Sequence, residues 1–359
     1  MVGNSGGSDR REWLKGIGLG ALGLTLGSGL RAGRGVRASG AEVSGGGAPG
    51  EKGLYRKAAP ARVGLVKGND RREITYQALK QIEDEVLSSI GNKKVLIKPN
   101  FVSTNRQLSA THADAIRGIL DFLKGHVKGP IIIGESTASR AGTFDGYKNY
   151  GYLPLEKEYN VKLIDLNKQP YVYRFVIGQG NKPIRIRMIS TFYNPEMYII
   201  SAAKLKTHDR VVTTLSLKNV LLGAPLNDYK KNDKWLTHTA SRFSKEAVLH
   251  YNMFQLAQEI WPDLGVIDGF VGMEGNGPVG GDPVDTRMVL ASRDCVALDV
   301  LATTLMGFDP GQIMYLSALA EAGKGQGDLK KIEVRGTPAA QCQHKFKLSK
   351  HLVNVYDFS

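Results

Sequence analysis

Four lysines stand at the ends of short apolar runs or just beyond them: Lys98, Lys204, Lys206 and Lys218. Asn100, Asn219 and His208 accompany them. Ammonium groups and amides together make a donor set for several anionic oxygens, as on phosphate, carboxylate or sulfate. In the catalytic reading Lys206 and His208 act on the substrate, with His208 as acid–base or as one metal ligand. Lys98, Asn100, Lys204, Lys218 and Asn219 then bind it. Glu135, Asp268 and Glu274 offer oxygens to a hard divalent cation such as Mg²⁺, or simply pair with the lysines. A lone strand-end lysine is ordinarily solvated, so it is the set of four that points to a site.

The loop Gly275-Asn276-Gly277-Pro278-Val279-Gly280-Gly281 suits two readings. Gly275 and Gly277 cradle a phosphate, or they permit close backbone approach in a turn. The loop lacks the Gly-Lys-Ser/Thr ending of a P-loop, and a strand follows it rather than a helix. No HExxH pair and no GxSxG elbow occurs. With Cys295 and Cys342 the only cysteines, the chain by itself cannot supply an all-cysteine iron–sulfur or zinc site, and no iron–sulfur cluster is expected. The two could pair as one disulfide in an oxidising compartment, or pack as small buried side chains.

Apolar runs alternate with helically periodic segments to position these residues. Strands are expected over 62–67, 94–98, 130–135, 161–166, 173–177, 184–188, 197–202, 213–217, 265–269, 285–291 and 331–335. Helices are expected over 75–90, 112–125, 244–261, 294–306 and 310–323. Val95-Leu96-Ile97 and Ile131-Ile132-Ile133 are unbroken aliphatic runs, as in strands covered on both faces of a parallel sheet. The fold expected is a three-layer α/β sandwich around a mainly parallel sheet. A Gly-rich turn at 178–181 adds an antiparallel hairpin. In such sheets ligands bind outside the carboxyl ends of the strands, where the polar residues cluster.

The N-terminus reads as an address. Ser8-Asp9-Arg10-Arg11-Glu12-Trp13-Leu14-Lys15 resembles a twin-arginine export motif, with Trp13 in the usual phenylalanine position. A glycine-diluted apolar stretch over 16–30 follows, too short and weak for a membrane span. Small-residue cleavage sites follow at Ala38 and Ala41. The domain plan is a signal peptide over 1–38, a Gly/Ala/Ser-rich tether over 39–60, an α/β domain over 61–340 and an extension over 341–359. This implies the twin-arginine translocase as a partner, a periplasmic or secreted destination and no transmembrane helix in the mature protein. The first 38 residues hold six basic and two acidic side chains, so the remainder keeps +10 of the formal +14. That surplus favours anionic partners. Nucleic acid is not among those expected, because no recognised nucleic-acid motif occurs.

The ordered segments resemble the domain-of-unknown-function family 362. They are Val95 through Asn100, Ile133 through Ser136, Lys204 through His208, Thr213 through Asn219, Asp268 through Gly281, Asp294 through Asp299 and Met306 through Pro310. The resemblance implies no established reaction. Some relatives carry extra cysteine motifs for iron–sulfur clusters, which this chain lacks. The expected function is an enzyme acting on an anionic small molecule; the alternatives are a non-catalytic periplasmic ligand- or cofactor-binding protein, and a scaffold.

Overall fold

The computed structural model describes residues 60–358 apart from 229 and 240–245. The twin-arginine motif, its cleavage sites and nearly all of the tether lie outside the described residues.

The first half of the domain is a run of strand and helix: β1 (Ala61–Lys67), α1 (Arg71–Lys80), α2 (Glu83–Ile90), β2 (Lys94–Lys98), α3 (Ala113–Leu123), β3 (Ile131–Glu135), α4 (Thr143–Asn149), α5 (Leu155–Glu158) and β4 (Val161–Asp165). The hairpin β5 (Tyr171–Ile177) and β6 (Pro183–Ile189) follows, then β7 (Met197–His208), β8 (Val212–Thr214), α6 (Ser216–Leu221), α7 (Asp233–Thr239) and α8 (Ala247–Leu256). The chain closes with β9 (Leu264–Glu274), β10 (Asp282–Ser292), α9 (Cys295–Leu305), α10 (Met314–Glu321) and β11 (Ile332–Gly336).

The main sheet runs β11-β1-β10-β9-β7-β2-β3-β4, with β8 paired to β7. Within that order only β10 runs antiparallel to its neighbours, and β8 is antiparallel to β7. Each face has its own core. Val95, Ile97 and Ala202 pack with α1, α2 and α3, whereas Leu96, Ala203 and Leu205 pack with α6, α8, α9 and α10. This is the expected three-layer α/β sandwich around a mainly parallel sheet. The hairpin forms a two-stranded sheet of its own rather than joining the main one. Phe346, Leu352 and Tyr356 of the C-terminal segment belong to the second core. Among the described residues no helix is long and apolar enough to cross a membrane.

Three departures from expectation bear on the site. The helix expected over 75–90 is two helices, α1 and α2. The strand expected over 213–217 ends at Thr214, and α6 begins at Ser216. The cause is remote in sequence. The buried Asp299 carboxylate of α9 accepts hydrogen bonds from Ser216 N (2.9 Å), Ser216 Oγ (2.6 Å) and Leu217 N (3.0 Å). It thereby caps the open N–H groups of a new helix. Third, β7 and β9 run past their expected ends, because each pairs with the other while β8 flanks β7 and β10 flanks β9. Lys204, Lys206, His208, Asp268 and Glu274 therefore lie within strands.

Candidate functional site

A cavity of about 400 Å³ opens at the carboxyl end of β2, β3 and β7, beneath α6 and α7. Lys98, Asn100, Glu135, His208, Lys218 and Asn219 all line it. Six candidates from distant segments thus share one wall.

One end of that wall is a closed polar network. Lys98 Nζ donates to Glu135 Oε1 (3.1 Å) and Oε2 (2.9 Å), to Pro99 O (3.0 Å) and to Asn219 Oδ1 (3.2 Å). Asn219 Oδ1 also accepts from Asn100 Nδ2 (3.0 Å). Asn219 Nδ2 donates to Lys98 O and to Ser201 Oγ, 3.1 Å each. Asn219 is thus fully used in tying α6 to the sheet. Two atoms in the wall are not so served: Asn100 Oδ1 and Thr214 Oγ1 are buried with no hydrogen-bond partner among the described residues. Such orphaned atoms are unusual in a native interior.

The other end holds His208, Lys218, Asp209, Arg210 and His238. Lys218 is only 6% exposed. Among the described residues nothing accepts a hydrogen bond from its Nζ or pairs with it. Burial pushes its pKa down to about 8, with Asp209 pulling the other way. His208 Nδ1 accepts the Arg210 backbone N–H (3.1 Å), so the neutral ring carries its proton on Nε2. Burial first, and then Lys218 and His238, holds the His208 pKa well below its ordinary value. At neutral pH this residue is therefore a hydrogen-bond donor through Nε2–H, and it stays uncharged.

The remaining candidates lie elsewhere, and parity explains Lys204. Side chains alternate faces along a strand. Leu96 and Lys98 point to the α6 side, whereas Ala202 and Lys204 point toward α3. Lys204 Nζ donates to Asp268 Oδ2 (3.2 Å), and Arg71 Nε lies 3.2 Å from Asp268 Oδ1. Lys206 Nζ donates to Ser109 O (2.7 Å) and does not line the cavity. Burial, then Lys218 and Lys204, holds its pKa well below the lysine range.

The carboxylates do not converge either. Glu135 and Asp268 stand on β3 and β9, three strand spacings or about 14 Å apart across the sheet. Glu274 pairs with Lys347 Nζ (3.0 Å) and accepts Lys347 N (2.9 Å). Among the described residues no group of three metal-ligating side chains forms. Nor do Gly275 and Gly277 present free amides: Gly275 N donates to Lys347 O and Gly277 N to Gly275 O, both at 2.8 Å. A Cβ on Gly277 would stand 2.0 Å from Thr207 O. Gly277 serves close packing on β7, Gly275 takes a left-handed φ of +72°, and Pro278 behind them reaches the cavity. Cys295 and Cys342 are free and buried.

Sequence reasoning missed α7. Lys234 and His238, four residues apart and therefore on one helix face, line the cavity, as does Trp235. Lys234 Nζ donates to Ser136 Oγ (3.1 Å), to Pro225 O and to Gly223 O. Burial, then Lys98, lowers its pKa to about 7. Those three acceptors favour the ammonium form. His238 Nδ1 donates to Lys234 O (2.7 Å), and burial, then Lys218, lowers its pKa to about 3. The i, i+4 spacing was the available signal.

A family model described as "Domain of unknown function (DUF362)" matches residues 95–304. The chain belongs to this family. The matched DUF362 region runs from β2 to α9 and so includes the cavity-lining residues named above. A thylakoid-associated protein of Synechocystis sp. is 27% identical over 250 residues, which is 67% of this chain and 72% of that one. Two solved structures match with a TM-score of 0.38. One is a Thermotoga maritima protein at 12% identity over 61% of this chain, and the other is the lactate racemase apoprotein of Thermoanaerobacterium thermosaccharolyticum at 13% over 70%. The matches span 55% and 58% of those two chains.

Proposed function

We propose that this DUF362 protein is an enzyme whose cavity takes an anionic small molecule, phosphorylated or carboxylated, and that it works outside the cytoplasm after twin-arginine export. The observation that carries the binding reading is Lys218. Its ammonium faces the cavity with no hydrogen-bond acceptor among the described residues and with Asp209 as its carboxylate neighbour, so an anion entering the cavity supplies the acceptors it lacks. His208 Nε2–H adds a neutral donor and Arg210 a second cation, in a cavity of ordinary small-molecule size. Clustering of Lys218, Lys234, His208 and His238, all with displaced pKa values, supports catalysis over carriage alone. The export part rests on Arg10-Arg11 and the segment behind them.

The test is thermal unfolding of the purified protein with inorganic phosphate, sulfate and a series of small carboxylates and phosphate esters. A ligand at a hundred times its Kd should raise Tm by roughly 5 °C, and Lys218→Met should abolish the shift. No shift with any compound, or an equal shift in Lys218→Met, rejects the reading. Mass analysis of the bound compound after incubation separates the two remaining outcomes. Conversion supports the enzyme, and unchanged ligand leaves a carrier.

A further inference from the structure

The hairpin β5–β6 has two unlike faces. Val176, Ile186 and Met188 turn inward and are buried in the second core. Outward stand Tyr171, Tyr173 and Phe175, 44%, 47% and 69% exposed. Cross-strand pairing sets Arg187 opposite Tyr173 and Arg185 opposite Phe175. The guanidinium of Arg185 lies 4.3 Å from the Tyr173 ring centroid, and that of Arg187 lies 5.5 Å from Tyr171. Between Tyr171 and Ile189 the chain has four basic residues and no acidic one. Arg174 and Arg187 are paired with carboxylates, while Lys182 and Arg185 are exposed.

The order along the ribbon matters. Phe175, the most exposed ring, is nearest the tip, and Lys182 is in the tip turn. Tyr173 and Tyr171 follow toward the base, with hydroxyls and stacked arginines. Exposed rings interleaved with the cations Lys182 and Arg185 suit the headgroup level of a membrane interface, where amphipathic rings and basic side chains collect. The folded domain does not need these rings for its core. Leaving them exposed beside Lys182 and Arg185, which have no carboxylate partner among the described residues, suits an anionic surface, in keeping with the positive surplus of the chain. Single-stranded nucleic acid fits less well, since base stacking would have to displace Arg185 and Arg187 from the tyrosine rings.

We propose that this face of the hairpin docks the protein on an anionic lipid surface, independently of what the cavity binds. The test is co-sedimentation of the full chain with phosphatidylcholine vesicles, with and without phosphatidylglycerol. Binding should require phosphatidylglycerol and weaken with salt. Phe175→Ser should weaken it several-fold, and removing Lys182 and Arg185 (K182Q/R185Q) about fivefold per cation. All three positions are exposed, and circular dichroism checks that the variants fold. Equal sedimentation with both vesicles, or variants that bind like the parent, overturns the proposal; the second result places the affinity outside the hairpin. Release from vesicles by single-stranded DNA, or concentration-dependent dimerisation lost in Phe175→Ser, also overturns it in favour of that other occupant.

Discussion

Lys98 and Lys218 line the same cavity, and both are buried, yet the fold treats them in opposite ways. Lys98 ends β2 facing two glutamate oxygens, a carbonyl and an amide oxygen, all within 3.2 Å. Lys218 sits on α6 facing the cavity, with none of these. The residue type is the same and the burial similar, so neither decides the role. Partners do. A buried charge with its donors used is architecture, whereas one with no hydrogen-bond acceptor among the described residues, and with Asp209 as its carboxylate neighbour, is available to an incoming anion.

Breaking the paired side should cost most. Lys98→Met takes away the ammonium donor of the buried Glu135 carboxylate, leaving it the Ser136 N–H bond and the more distant Lys234, and removes a donor to Asn219. Urea unfolding should show a loss of about 3–5 kcal/mol. A loss under about 1 kcal/mol would mean that Glu135 is relieved by protonation or water, and that the network is not what holds the sheet end together. Asp299→Ala comes next, at about 3 kcal/mol, because it strands the two backbone N–H groups that open α6. Since α6 carries Lys218, the same variant should also weaken anion binding from the far side of the helix. Intact binding would show that α6 is positioned by its packing alone. Lys218→Met should move stability the other way, by about 2 kcal/mol in favour of the fold near neutral pH, while binding disappears. If both lysine variants destabilise equally, the contrast between them is wrong.

The layers were legible because β2 and β3 are written as unbroken aliphatic runs and the helices carry apolar stripes. Lys98, Asn100, Glu135, His208, Lys218 and Asn219 were legible as a set because each stands near a strand's carboxyl end. Lys204 and Lys206 were not separable from Lys98 by sequence. The face Lys204 takes depends on the phase of its own strand, and nothing local relates the phase of β7 to that of β2; the acceptor that holds Lys206, Ser109 O, lies 97 residues away. The end of β8 was hidden for a different reason: the carboxylate that starts α6 comes from Asp299, 83 residues away. Lys234 and His238 lay in a short polar segment without an apolar stripe, where only the four-residue spacing marked a shared face.

The smallest effect is also the sharpest test, because two observables must move in opposite directions. The folded pKa of Lys218 is pushed down to about 8 from 10.5 by burial. Between those values the unfolded chain binds more protons than the folded one, so this group makes the ligand-free protein more stable as pH rises. Its contribution is complete above the unfolded value and is lost as pH falls through about 8. Anion binding needs the ammonium form, so its Kd should be flat below about pH 8 and rise toward tenfold per pH unit above it. Calorimetric titration across that range, beside unfolding at each pH, measures both. Lys218→Arg keeps the charge throughout and should flatten the Kd curve. A parent Kd that stays level from about pH 6 to about pH 10 would place the anion away from Lys218, and that lysine would then be without a ligand.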